Sequence, residues 1–254
     1  MTNFLLYAVT VFLWGTSWLA IKFQLGAVAP EVSVLYRFAV SAAMMLAFCL
    51  VTRRRMRFTA REHAFMALQG LCLFSTNYVL IYLATQYLTS GLVAVAFSTV
   101  TVVTIFLGAA FFGFPVQGRV VVGAVFGLAG IALVFRPELK DFDLTQGGPL
   151  GLVLALAGTL SAGIGMLTSA RNQRAGLPVL PNNAYSMAYG LVLLTVFCKV
   201  RGVPFAFDFS AAYVLSLLYL ALFATVIAFW SYLTLVGRIG PDRASYASVL
   251  FPVV

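Results

Sequence analysis

The sequence predicts an all-α fold: a polytopic transmembrane helix bundle made of two related halves that cross the membrane in opposite senses. Three observations predict it. Hydrophobic residues make up 62% of the 254 residues and charged residues only 9%, against about 25% charged in an ordinary soluble domain. So few charges cannot cover so much apolar surface in water, whereas a bilayer solvates apolar faces and forces the backbone to satisfy its own hydrogen bonds, which favours helix. The apolar residues fall into runs of membrane-crossing length, and several landmark residues recur at a constant offset.

A span needs about 20 apolar residues to cross about 30 Å of hydrocarbon. Eight runs qualify, at 4–23, 31–52, 63–84, 88–112, 119–136, 149–170, 182–200 and 211–236. A ninth begins near Pro241 and is still apolar at Val254. The first run, Phe4 to Phe23, is too long for the apolar core of a signal peptide and has no small-residue cleavage site after it, so it reads as a retained span. Proline punctuates the pattern: Pro30, Pro115, Pro137, Pro149, Pro178, Pro181, Pro204 and Pro241 lie at or near boundaries, where a residue that lacks an N–H fits a first helical turn. Pro252 lies inside the last run and is expected to kink it.

The halves show in the spacing. Tyr82-Leu83 and Tyr232-Leu233 are 150 residues apart, and Pro30 and Pro181, each opening a span, are 151 apart. Five spans separate matching elements, and an odd number turns the second copy over, as in the inverted repeats of secondary transporters. The division predicted is 1–137 and 138–254.

The net charge of +9 does not point to nucleic acid, because the basic residues lie between apolar runs rather than along a groove or tail; lipid headgroups are their expected partners. With the N-terminus in the cytoplasm, ten basic residues (Arg53, Arg54, Arg55, Arg57, Arg61, Arg119, Arg171, Arg174, Arg238 and Arg243) fall in cytoplasmic connections. Five fall outside (Lys22, Arg136, Lys140, Lys199 and Arg201), an excess that predicts a cytoplasmic N-terminus. Cys49, Cys72 and Cys198 form no CxxC pair and read as packing thiols.

No carboxylate sits inside a span. Glu31, Glu62, Glu138, Asp141, Asp143, Asp208 and Asp242 are at edges or in connections, and His63, the one histidine, is at the start of the third span. Membrane metalloenzymes and phosphotransferases need clustered acids or histidines, so an enzyme is not expected, nor any metal or cofactor. Arg37 is the one charge well inside a span, about two turns past Pro30 or roughly 10 Å in at 1.5 Å per residue. It reads either as a clamp for an anionic substrate group or as a structural arginine bonded to carbonyls. Trp14 and Trp18 are one turn apart and share a face, as do Tyr78 and Tyr82 beside Asn77; either they line a cavity for amphipathic solutes or they pack and anchor the interface. Ser98, Thr99, Thr101 and Thr104 add hydroxyls in the fourth span, and Ser245, Tyr246 and Ser248 in the ninth. Gly123-x-x-x-Gly127 is a helix-packing motif, and Trp230 and Tyr232 read as packing or interface residues.

Trp14-Gly15-Thr16-Ser17, Pro30-Glu31 with Tyr36-Arg37, Asn77-Tyr78, Tyr82-Leu83-Ala84, Thr89-Ser90-Gly91 and Phe135-Arg136-Pro137 together resemble the first repeat of EamA-type transporters of the drug/metabolite transporter superfamily. Arg243-Ala244-Ser245 and Phe251-Pro252-Val253-Val254 resemble the corresponding span of the second repeat. The resemblance implies ten helices in two inverted five-helix repeats, with this chain cut within helix nine, and a central cavity lined by spans one, three, four, six, eight and nine. It implies Trp14, Ser17, Asn77, Tyr78, Ser98 and Tyr246 as lining residues; Trp18 and Arg37 complete the candidate substrate-binding set. Ser161-Ala162 stands where many relatives carry a tryptophan, which would open that side of the cavity. The function implied is secondary transport in a bacterial inner membrane: export of amino acids or related small metabolites by alternating access, with a small-molecule solute and lipid as partners. An importer, a nucleotide-sugar carrier, or a receptor or assembly subunit without flux stays open beside it, as does a homo-oligomer.

Overall fold

The computed structural model describes residues 1–24, 26–134, 136–137 and 147–250, with the side chains of Trp18 and Ser90 also outside the description. The predicted kink at Pro252, the acids Glu138, Asp141 and Asp143, and Lys140 lie outside the described residues. The described residues form helices and no strands, and the fold is the all-α membrane bundle the composition requires. The helices are α1 (Asn3–Lys22), α2 (Pro30–Val51), α3 (Ala60–Ala84), α4 (Ser90–Ser98 and Val100–Phe112, joined at Thr99), α5 (Gly118–Val134), α6 (Gly148–Arg174), α7 (Val179–Val200) and α8 (Ala211–Ile239). Two short pieces, Pro241–Ala244 and Ala247–Leu250, make up α9. Seven of the helices are long and apolar enough to cross a membrane; α5, at 17 residues, is shorter. The eight runs read from the sequence are thus eight helices.

The boundaries have local causes. Threonine or serine accepts from the backbone at the starts of α1 (Thr2), α4 (Thr89) and α8 (Ser210), satisfying a donor the first turn leaves free. At α3 the cap is reciprocal: the Thr59 N–H donates to Glu62 Oε2 at 2.6 Å, and the Glu62 N–H donates to Thr59 Oγ1 at 3.3 Å. Thr59→Ala is expected to cost about 1 kcal/mol, read as a lower midpoint of thermal unfolding in detergent; an unchanged midpoint would show that α3 does not depend on its cap. Proline opens α2, and Gly113, at φ +63°, closes α4 where a side chain would be strained.

Two helices are not regular. A π-helical segment, Cys72–Thr76, interrupts α3, and another, Leu222–Ile227, interrupts α8. They begin 150 residues apart, the offset that separates Tyr82 from Tyr232. Such insertions leave carbonyls without their usual helical donors and are frequent at functional sites.

The main packing runs between the two halves of the sequence. α7 lies along α2 and α3, α6 along α3 and α4, and α1 along α8. α3 meets α7 backbone to backbone: a Cβ on Gly70 would strike the Ser186 carbonyl, and one on Gly190 would sit 2.9 Å from the Gly70 carbonyl oxygen. Gly165 brings α6 against the Leu73 backbone in the same way. Beside Gly70, four fully buried carboxamides join α3, α6 and α7. Gln69 Nε2 donates to Asn183 Oδ1 at 3.0 Å, Asn182 Nδ2 donates to Gln69 Oε1 at 2.8 Å, and Asn172 Nδ2 donates to Asn182 Oδ1 at 3.0 Å. At the same end the Arg171 guanidinium lies over the Phe65 ring at 3.5 Å, and Arg174 over Phe114 at 3.6 Å. Cys49 and Cys198 are buried and Cys72 partly so; all three are free thiols, as packing residues would be.

Candidate functional site

A cavity of about 150 Å³ lies within the bundle, in the half away from the N-terminus. Its rim comes from Ile21 in the last turn of α1, Ile81 near the end of α3 and Val93 and Ala94 in the first turns of α4. Its floor is aromatic. Trp14 packs against Phe229 at 5.1 Å and Tyr232 at 5.0 Å between ring centroids, and Phe74 packs against Phe229 at 5.0 Å. The Tyr232 hydroxyl donates to Met166 Sδ at 3.2 Å, which ties α8 to α6 under the cavity. These edge and tilted contacts are the geometries aromatic quadrupoles prefer. Beyond the floor, at the N-terminal end, is a second cleft of about 630 Å³ whose walls include Gln117, Gln173, Arg174, Arg238 and Asp242.

The polar groups of the cavity are few and distinct. Arg37 is buried and faces it, and the only ion pair among the described residues, Arg55 with Glu62, is elsewhere. The Arg37 guanidinium is held by α8: Nε donates to Thr225 Oγ1 at 2.6 Å, and a terminal nitrogen donates to the Ala224 carbonyl at 3.3 Å. It also lies 5.8 Å from the centroid of the Tyr78 ring, whose edge meets Phe38 at 4.9 Å. Trp14 Nε1 donates to the same Ala224 carbonyl at 3.1 Å. Asn77 is buried, and its Oδ1 accepts no hydrogen bond among the described residues. An acceptor stripped of water and left unpaired costs about 1–3 kcal/mol, and here it borders the cavity. No group of three or more histidines, cysteines or acids is near enough to hold a metal ion among the described residues.

The candidates from sequence divide clearly. Trp14, Ser17, Arg37, Asn77 and Tyr78 line the cavity together, drawn from three helices. Ser98 does not: it is fully buried and its hydroxyl donates to the Val95 carbonyl at 2.6 Å. Tyr246 does not: its hydroxyl donates to the Val120 carbonyl and its ring covers Gly123 of α5. The side chain of Trp18 lies outside the described residues. The opening expected at Ser161-Ala162 is absent, because Ser161 Oγ donates to the Cys72 carbonyl at 2.9 Å and α6 lies directly on α3 there. Tyr232, expected from sequence to pack or to sit at the membrane interface, forms the floor, together with Phe229 and Met166, which the sequence pattern does not single out. Phe229 and Tyr232 are three residues apart on one face of α8, about one helical turn, as Tyr78 and Tyr82 are at four residues apart. Lining comes from spans one, three, four, six, eight and nine, and from span two through Arg37.

A bundle of apolar spanning helices around an amphipathic cavity, with a cleft at the opposite end, is the architecture of a multi-pass membrane transporter. A family model described as EamA-like transporter family matches residues 1–136 and 149–254. The chain belongs to that family. It is similar to "Uncharacterized inner membrane transporter YedA" of Escherichia coli (strain K12), 28% identical over 244 residues that cover 95% of this chain and 76% of that one. It is also similar to "Uncharacterized transporter YoaV" of Bacillus subtilis (strain 168), 24% identical over 95% of this chain and 82% of that one. A crystal structure of a protein at 19% identity superposes with a TM-score of 0.80 over 99% of this chain and 84% of its own, and shows the same fold.

Proposed function

We propose that the protein exports amino acids or related small metabolites across a bacterial inner membrane by alternating access, with its N-terminus in the cytoplasm. The observation that carries the reading is the cavity's pairing of Arg37, a cation with no carboxylate partner among the described residues, with Asn77 Oδ1, an acceptor with no donor among them, inside apolar and aromatic walls. A zwitterion with an apolar side chain meets all three features: carboxylate to guanidinium, ammonium to carboxamide oxygen, side chain to the rings of Trp14, Tyr78 and Phe229. The names of the bacterial relatives, inner membrane transporter among them, support the location. The matching offset of the two π segments and the packing of one half on the other support two inverted repeats, 1–137 and 138–254, that rock around the cavity. The aromatic floor between cavity and cleft is then the barrier that one side of the cycle must open.

The test is efflux. Cells that express the full-length protein are challenged with toxic levels of single amino acids and analogues, and the protective substrate is measured in export. Trp14→Ala combined with Tyr78→Ala is expected to lower efflux at least about tenfold, since each ring removes about 1.5–3 kcal/mol of apolar contact. Wild-type efflux from a well-expressed double variant would remove the cavity from the substrate path. No protection against any amino acid would remove amino acids as the substrate.

A further inference from the structure

Of the two π segments, one is held far more tightly than the other. In α3, the carbonyl of Cys72 receives one side-chain donor among the described residues, Ser161 Oγ. In α8, the carbonyl of Ala224 receives both Trp14 Nε1 and Arg37, Thr225 Oγ1 receives Arg37 Nε, and the Ala221 carbonyl receives Ser41 Oγ at 3.1 Å. Thr225 Oγ1 itself donates five residues back, to the Leu220 carbonyl at 2.9 Å, which is the register of the insertion. Three helix partners on α1 and α2 therefore converge on one wide turn of α8. The strongest of them is the cation that also faces the cavity.

We infer that Arg37 couples substrate binding to movement: its guanidinium latches the wide turn of α8, and a substrate carboxylate entering the cavity unlatches it by taking those donors. The inference rests on the cavity being the substrate site. A ligand drives a transition only by binding one state better than the other. Arg37 supplies that difference. While latched, two of its five N–H donors rest on a neutral hydroxyl and a neutral carbonyl. A carboxylate places a full negative charge against the guanidinium and can accept two parallel N–H bonds from it, which neither neutral oxygen offers. The bond to Ala224, at 3.3 Å, is the weaker of the two and the first to go.

Released, the wide turn can shift along α8 by a residue, since its extra residue has no fixed helical partner. Any shift rotates the part of α8 that follows, Ala228–Ile239, which carries both Phe229 and Tyr232 of the floor. The barrier thus gives way when a carboxylate has arrived and stays shut when the cavity is empty or holds a molecule without one. The α3 segment, with one neutral tie among the described residues, has no such control. The chemistry selected is a carboxylate-bearing solute, and the selection acts on movement as well as on affinity.

The test follows amide hydrogen exchange of residues 222–228 in the full-length protein in lipid nanodiscs. Without ligand, Arg37→Gln is expected to speed exchange there by about tenfold or more, the effect of losing a charged hydrogen bond that holds a local opening shut. Thr225→Val, which keeps the buried cation, is expected to give a smaller change in the same direction, and serves if Arg37→Gln does not fold. Exchange in 72–76 should not move. Wild-type exchange at 222–228 in a folded variant overturns the latch. In a second arm the wild-type protein is given each tritiated amino acid, with binding counted directly, or the matching decarboxylated amine. Bound amino acids should speed exchange at 222–228 and amines should not. Acceleration by both, or binding of an amino acid without acceleration, overturns the coupling and leaves the transport reading intact. Binding by no amino acid overturns the amino-acid reading and the carboxylate coupling with it, while the ligand-free arm still decides the latch.

Discussion

Gly70→Val is expected to be the most damaging single substitution in the bundle. At this point α3 and α7 touch through backbone atoms, with the Ser186 carbonyl and the Gly190 nitrogen where a Cβ would go. No rotamer change relieves the clash, because what must move is a helix axis rather than the end of a side chain. Overpacking a rigid contact typically costs 1–3 kcal/mol, and a backbone contact falls at the upper end, about 3 kcal/mol. The shift would also carry Leu73 and Asn77 away from the cavity, since they lie one and two turns further along α3. The expected result is a large drop in thermal midpoint in detergent and loss of folded yield, with Gly70→Ala intermediate. Gly118→Ala, where nothing lies within 4 Å of the added carbon, is the control. A Gly70→Val protein that melts with the control would mean that the two helices can separate freely.

The second large effect is at Gln69. Gln69→Met keeps length and removes both polar atoms. Asn182 Nδ2 then loses its acceptor and Asn183 Oδ1 its donor, inside a cluster that excludes solvent and in which Asn183 Nδ2 already lacks a partner. Two stranded groups at about 1–3 kcal/mol each give an expected loss of about 2–6 kcal/mol. Membrane hydrogen bonds can be worth less when the unfolded chain finds other partners, so a cycle is the sharper measurement. Gln69→Met with Asn183→Leu should cost clearly less than the two single changes added together. Strict additivity would show that the carboxamides do not act as one unit. Because the cluster joins α3 of the first half to α6 and α7 of the second, the same variants test what holds the halves together at the N-terminal end.

Much of this was legible in the sequence, and the parts that were not share a physical reason. Span positions follow from composition, since lipid leaves helix as the open solution for an apolar run, and proline marks the ends. Trp14, Asn77 and Tyr78 were found because polar or amphipathic groups deep in an apolar run need an explanation. Ser98 and Tyr246 carry the same signal, yet both hydroxyls are already bonded within the protein, Ser98 to Val95 one turn back and Tyr246 to Val120 of α5. A hydroxyl that donates within its own helix leaves the same mark in a sequence as one that meets a solute. Phe229 and Met166 leave no mark among so many apolar neighbours, because position alone makes them the floor. The π segments were invisible for a different reason. An extra residue in a turn changes no composition, and only the partners that converge on Ala224 and Thr225 show where it is.

The pair Gly123 and Gly127 has the spacing by which two copies of a helix commonly seat against each other in a bilayer. Here Tyr246 stands over the first glycine and Val249 over the second, at 3.3 Å from the position a Cβ would take. The notch is filled from within the same chain, by α9. A seam that would otherwise recruit a neighbouring subunit is used up in closing the protomer on itself, so enlarging either glycine should loosen α9 before it alters any association between chains.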